Sequence, residues 1–156
     1  MTINSPLRLA LIGTGHIAAE HVEAIRPYAK HVQIIAATDI NAEILRTFCK
    51  THNIPAAYKD TEDLLRHEQP DIVLISTPPY IHATLAAQAM EAGADVVCEK
   101  PMVVSLAQMD DIQEAERRTG RTCVSISQWR YGSAARHVKR LIESKELGAP
   151  LIAICN

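Results

Sequence analysis

Apolar residues in this chain fall in short, nearly continuous runs, separated by longer stretches in which they recur every three or four positions. The runs at 7–12 (LRLALI), 32–38 (VQIIAAT), 71–76 (DIVLIS), 95–98 (DVVC) and 122–127 (TCVSIS) predict strands buried on both faces, with a further short extended piece closing at Tyr58. The periodic stretches predict helices over 16–25, 41–51, 61–67, 81–92, 106–119 and 134–144. Local punctuation agrees. Pro27 limits the first helix, Asn41, Thr61 and Ser105 are read as amino-terminal caps, and Gly93 and Gly120 as stops. The residues Leu151 to Cys155 read as the opening of one more strand. Buried strands alternating with crossover helices predict an α/β fold with a mainly parallel sheet and helices on both faces. No internal repeat or low-complexity tract interrupts the alternation.

The first strand runs directly into LIGTGHIA, residues 11–18, which also opens the first helix. Gly13 permits a tight turn, Gly15 lets backbone approach a pyrophosphate without a Cβ in the way, and Ala18 keeps helix close to strand. The N–H groups around Thr14, Gly15, His16 and Ile17, with the positive end of the helix, then face phosphate oxygens. Asp39 ends the second strand 21 positions after Ala18, where a carboxylate can accept both ribose hydroxyls of an adenosine. Its charge disfavours a 2′-phosphate, and neighbouring Ile40 and Asn41 supply no cation, so NAD is expected over NADP. Together these make a Rossmann-type doubly wound sheet the expected architecture. The competing explanation is a glycine-rich turn in an unrelated α/β fold, with Asp39 as a solvated strand end.

Two later loops lie at the carboxyl ends of strands, where open α/β sheets bind ligands. Ser76, Thr77, Pro78, Pro79 and His82 belong to STPPYIH. The two prolines stiffen that loop, and His82 either bonds loop backbone or touches ligand. Glu99, Lys100 and Pro101 follow the next strand. Desolvating Lys100 at an apolar strand end is costly without a partner, and beside a substrate hydroxyl its ammonium could orient that group and assist proton removal.

Composition removes several function classes. A hydrophobic fraction of 47% and charged fraction of 22% in 156 residues are those of one ordinary globular domain. The net charge of -2 provides no basic field for nucleic acid or an anionic membrane. No apolar stretch approaches the roughly 20 residues of a membrane-spanning helix. Cys49, Cys98, Cys123 and Cys155 form no Cys-x-x-Cys pair, and with no secretory signal they read as free thiols of a cytoplasmic protein. No metal-ligand spacing is present.

GTGHIA, Asp39, TPPYIH, EKP and QWRYGSAARHVKRLIESKELG, in that order, resemble the amino-terminal half of the glucose–fructose oxidoreductase and inositol dehydrogenase (Gfo/Idh/MocA) family over essentially the whole chain. The resemblance implies an NAD(P)-dependent oxidoreductase moving hydride between nicotinamide and a hydroxyl-bearing carbon of a sugar, cyclitol or related polyol. It places Lys100 by the nicotinamide ribose and substrate as the catalytic residue, makes Pro101 a cis proline, and brings Gln128, Trp129 and Arg130 toward the nicotinamide end, although Arg130 fits a domain-bracing role as well. His21 matches a frequent family position and is expected to have a packing or helix-surface role. Family members carry a second, mostly antiparallel domain that supplies a general acid/base and the surface for homo-oligomers. The resemblance implies a dinucleotide-binding domain over 1–148, with 149–156 opening that second domain. The chain by itself is then expected to bind a dinucleotide but to lack a complete catalytic site. Two other readings compete: a non-catalytic dinucleotide or sugar sensor of the same family, for which Lys100 has no evident use, and a methyltransferase, in which neither TPP nor EKP has a task.

Overall fold

The computed structural model describes residues 5–146 and 148–149. Its first compact unit runs to Ile126. Six strands, β1 (Leu7–Ile12), β2 (Val32–Thr38), β3 (Ala56–Tyr58), β4 (Ile72–Ile75), β5 (Asp95–Cys98) and β6 (Cys123–Ser125), form one parallel sheet in the order β3-β2-β1-β4-β5-β6. Five helices cross over between them: α1 (His16–Ile25), α2 (Ala42–His52), α3 (Thr61–Glu68), α4 (His82–Glu91) and α5 (Leu106–Thr119). The order reverses between β1 and β4, the switch point at which a doubly wound sheet opens a crevice.

Alternation along the strands decides which helix covers which face. Leu9 and Leu11 of β1 point to the side of Ala18 and Val22 on α1 and of Leu45, Phe48 and Cys49 on α2. Ala10 and Ile12 point the other way, into a cluster with Leu64 of α3, Ala83, Ala86, Ala89 and Met90 of α4, and Ile112 and Ala115 of α5. Ala36 and Ala37 of β2 and Ala83, Ala86 and Ala89 of α4 are buried in these two clusters.

The caps follow the expected chemistry with one correction. The Asn41 side chain accepts from the N–H groups of Glu43 and Ile44 at 3.0 and 3.1 Å, and Ser105 accepts from Gln108. For α3 the cap is Asp60, which accepts from Asp63 N–H at 2.8 Å, and Thr61 is the first helical residue. Both side chains suit the position, and the carboxylate one residue earlier reaches the free N–H first. Before α4 the chain makes a short 3-10 turn, Pro79–Ile81, so the helix begins at His82.

Cys49, Cys98 and Cys123 are buried free thiols. Burial foremost, with help from Cys123 and Glu99, pushes the Cys98 thiol up to about 12, and burial with Glu116 does the same to Cys123. A thiol needs its thiolate to react. Iodoacetamide at pH 8 is therefore expected to leave both unmodified in the native protein and to label them on denaturation; labelling at the same rate in both states would contradict this burial.

A second compact unit begins at Ser127. It contains a 3-10 turn, Gln128–Tyr131, and helix α6 (Ser133–Ser144), so α6 stands outside the unit that holds the sheet. The strand expected over Leu151 to Cys155 lies outside the described residues. Among those described, no helix is long and apolar enough to cross a membrane.

Candidate functional site

Register aligns the site. Ile12 pairs with Thr38 on one side and with Ile75 on the other, and Ile75 pairs with Cys98. The next residue of each strand therefore stands on one level. The ladder extends that far: Gly13 N–H donates to Thr38 O (2.9 Å), Ser76 N–H to Ile12 O (2.8 Å) and Glu99 N–H to Ile75 O (3.0 Å). Gly13, Asp39, Ser76 and Glu99, each singled out in the sequence, thus form one row along the carboxyl edge of the sheet.

A cleft of about 390 Å³ opens above this row, lined by Gly13, Gly15, Asp39, Ile40, Ser76, Thr77 and Pro78. Lys59, Asp60, Thr61, Tyr80, Ile81 and Leu85 line it as well; Tyr80 and Ile81 lie within the STPPYIH motif, and the other four were not assigned to the site from sequence. Lys59 adds a group that the sequence reading did not place here. A cation does share the cleft with Asp39 and Ile40, supplied by the loop after β3, not by the residues adjacent to Asp39 in sequence. Its signal was weak because a lysine before a helix cap is ordinarily a solvated charge.

Asp39 is held in place before any ligand is considered. Its Oδ2 accepts the N–H and the hydroxyl of Thr14 at 2.8 and 2.9 Å, and its Oδ1 accepts Asn41 N–H at 2.9 Å. A carboxylate has about four acceptor positions. One therefore remains on Oδ1, with the plane of the group fixed by the other three bonds.

Three features fit a dinucleotide here. Helix α1 begins at Gly15 with no side-chain cap and no acidic residue in its first turn, so its N–H donors are left for an anion. A Cβ on Gly15 would meet nothing within 4 Å, an open approach over the helix start. The hydroxyls of Ser76 and Thr77 are buried without a hydrogen-bond partner at the cleft wall, and such groups normally have one. His16 and Ile17 open helix α1 beside this cleft without lining it, and the His16 ring is solvent-exposed.

The EKP loop follows the neighbouring strand and does not line the cleft. Lys100 is exposed, and the enclosed charge is Glu99. The strand end turns its glutamate inward, where partners exist, and leaves the lysine in solvent at no desolvation cost. Glu99 Oε1 lies 2.8 Å from Nε2 of His21, and Oε2 accepts Lys100 N–H at 2.9 Å. His21 is thus a half-buried partner of Glu99, in line with a packing role. The helical spacing from Ala18 and Val22 carried that signal, because all three share the inward face of α1. The Lys100–Pro101 peptide is cis.

His82 is fully buried and connects the two loops. Its Nε2 lies 2.8 Å from Thr77 O and its Nδ1 3.0 Å from Pro101 O. Both contacts are to backbone carbonyl oxygens, one in each loop. Gln128, Trp129 and Arg130 sit in the 3-10 turn of the second unit, where Arg130 N–H donates to Ser127 O at 3.1 Å. No group of three metal-ligating side chains comes together among the described residues.

Comparison with known proteins agrees with this geometry. The family model GFO_IDH_MocA, described as an oxidoreductase family with an NAD-binding Rossmann fold, matches residues 7–127. Inositol 2-dehydrogenase of Salmonella paratyphi B is 30% identical over 148 residues, covering 94% of this chain and 44% of the relative. The inositol 2-dehydrogenase of Pseudomonas savastanoi pv. phaseolicola is 32% identical over 151 residues, covering 96% and 45%. Among solved structures, the WlbA dehydrogenase of Chromobacterium violaceum, in complex with NADH and UDP-GlcNAcA, superposes with a TM-score of 0.87 at 26% identity, covering 95% of this chain and 44% of that one. The chain spans less than half the length of the relatives it matches. With sheet order, glycine turn and family model in agreement, the chain belongs to the Gfo/Idh/MocA oxidoreductase family and carries its NAD-binding Rossmann fold.

Proposed function

We propose that this chain is the cofactor-binding part of an NAD-dependent dehydrogenase that oxidises a hydroxyl-bearing carbon of a cyclitol, sugar or related polyol. The observation that carries the reading is the row Asp39–Gly13–Ser76–Glu99, with a ribose-reading carboxylate at one end and the Lys100 loop at the other. When bound, NAD supplies the hydride acceptor. The protein's share is binding and orientation. Asp39 Oδ1 accepts from the adenosine ribose, N–H groups from Gly15 to Ile17 donate to the pyrophosphate, and Thr77 and Pro78 shape the wall. Lys100 Nζ orients the substrate hydroxyl and takes part in moving its proton. Three buried free thiols fit a reducing, cytoplasmic setting.

The direct test is NAD reduction by the whole protein over a panel of inositols, sugars and uronic acids. Turnover on at least one supports the reading, while tight NAD binding with no turnover on any would favour a sensor. Asp39→Ala tests the ribose assignment. Losing hydrogen bonds to a charged group is expected to weaken NAD binding by about 10- to 100-fold. With the carboxylate removed and Lys59 still in the cleft, the NAD:NADP affinity ratio is expected to move toward NADP. An unchanged ratio, read by isothermal titration with both nucleotides, would remove Asp39 from the assignment.

A further inference from the structure

Glu99 is almost wholly enclosed, yet each of its carboxylate oxygens has a defined partner, and the two partners belong to different elements. Oε1 meets Nε2 of His21, on α1, and Oε2 accepts the backbone N–H of Lys100, in the loop after β5. A carboxylate accepts only, so Nε2 of His21 carries the proton it donates. We infer that His21 is a positioning residue for Lys100, acting through the Glu99 carboxylate to tie helix α1 to the backbone of the lysine loop.

The physical argument is one of satisfaction. A buried carboxylate oxygen that loses its donor is costly, so the group turns or admits water to recover a partner. With His21 in place, Oε1 is satisfied from α1, and Oε2 is left facing a single donor, the Lys100 N–H. Without it, the carboxylate is free to rotate, and the N–H of Lys100 loses a fixed acceptor. The same helix that carries His21 begins at Gly15, where the pyrophosphate is assigned. The clamp therefore sets where Lys100 stands relative to the bound cofactor. The inference rests on the role of Lys100 proposed above.

Two readouts in the whole protein test it: hydrogen exchange at the Lys100 amide, and NAD-dependent oxidation of myo-inositol. His21→Leu keeps bulk and removes the donor. It is expected to speed exchange at Lys100 by about tenfold or more while the amides of Leu9 and Leu11 stay protected. It is expected to lower kcat by about tenfold or more, with the KM for NAD held within about threefold. His21→Gln places an amide donor near the position of Nε2 and is expected to restore both readouts toward wild type. Unchanged Lys100 exchange in His21→Leu, or equal damage from Leu and Gln, overturns the inference. Lys100→Met in the same assay separates the two readings. Full turnover by Lys100→Met removes the lysine's role and the inference with it, whereas an inactive Lys100→Met beside a fully active His21→Leu overturns the inference alone.

Discussion

Gly13→Ala is expected to destabilise the domain enough to lower its melting temperature by about 10 °C, while Gly15→Ala leaves stability nearly untouched and loses NAD affinity. The two glycines stand two positions apart in one motif and meet different constraints. Gly13 has φ +90°, and a Cβ there would lie 2.7 Å from the carbonyl oxygen of Ser76, 2.9 Å from its carbonyl carbon and 3.0 Å from Cγ2 of Thr77. The first two atoms are backbone and cannot swing aside. Ser76 N–H is bonded to Ile12 O, and Gly13 N–H to Thr38 O, so relief means breaking the ladder at the switch point. Strain at such a φ costs about 1–3 kcal/mol and forced overpacking about as much again, against a total stability of about 5–15 kcal/mol. Gly15 has φ -73° and ψ -171°, extended values open to any residue, and a Cβ there meets nothing. Its methyl would intrude only on the anion above the helix start. Differential scanning calorimetry and NAD titration of both variants read the contrast directly. A stable Gly13→Ala, or a Gly15→Ala that binds NAD as well as wild type, would break the assignment of one glycine to the fold and the other to the ligand.

That contrast also explains what was legible in the sequence. Strand ends, helix starts and the glycine turn are local events, so runs such as DIVLIS, caps such as Asn41 and Ser105, and the spacing from Ala18 to Asp39 report them faithfully. The row Gly13–Asp39–Ser76–Glu99 follows once the strands pair in parallel with matched ends. Pairings between side chains distant in sequence were not legible. His21 and Glu99 are 78 residues apart, and only the packing of α1 brings the ring to the carboxylate. Lys59 shares a cleft with Asp39 because β3 lies beside β2. The burial of Glu99 beside an exposed Lys100 has the same origin: EKP names two ionisable groups, and the partner of the enclosed one sits on another element. The break after Ile126 left no composition shift to read, since Ser127 continues the polar end of a short strand.

Lys100→Met is expected to abolish most turnover without touching the fold. The side chain is exposed and takes part in none of the ion pairs among the described residues, so its replacement removes no buried interaction and the melting temperature should stay within about 2 °C. NAD affinity should hold within about threefold, because the proposed function assigns ribose and pyrophosphate to Asp39 and to the start of α1. On the proposed role, what is lost is a mobile proton donor and acceptor beside the substrate hydroxyl, an effect typically worth about 10²–10⁴ in rate. Lys100→Arg sharpens the test. Arginine keeps the charge but holds its proton at all working pH values. If Lys100 only attracts the hydroxyl, arginine restores much of kcat. If Lys100 also moves the proton, arginine stays slow, and the pH–rate profile of the wild type loses one limb in the variant. A Lys100→Met protein that keeps more than half of wild-type kcat would remove the lysine from the chemistry. The row along the sheet edge would then describe a nucleotide sensor, with Glu99 serving only to pin the loop.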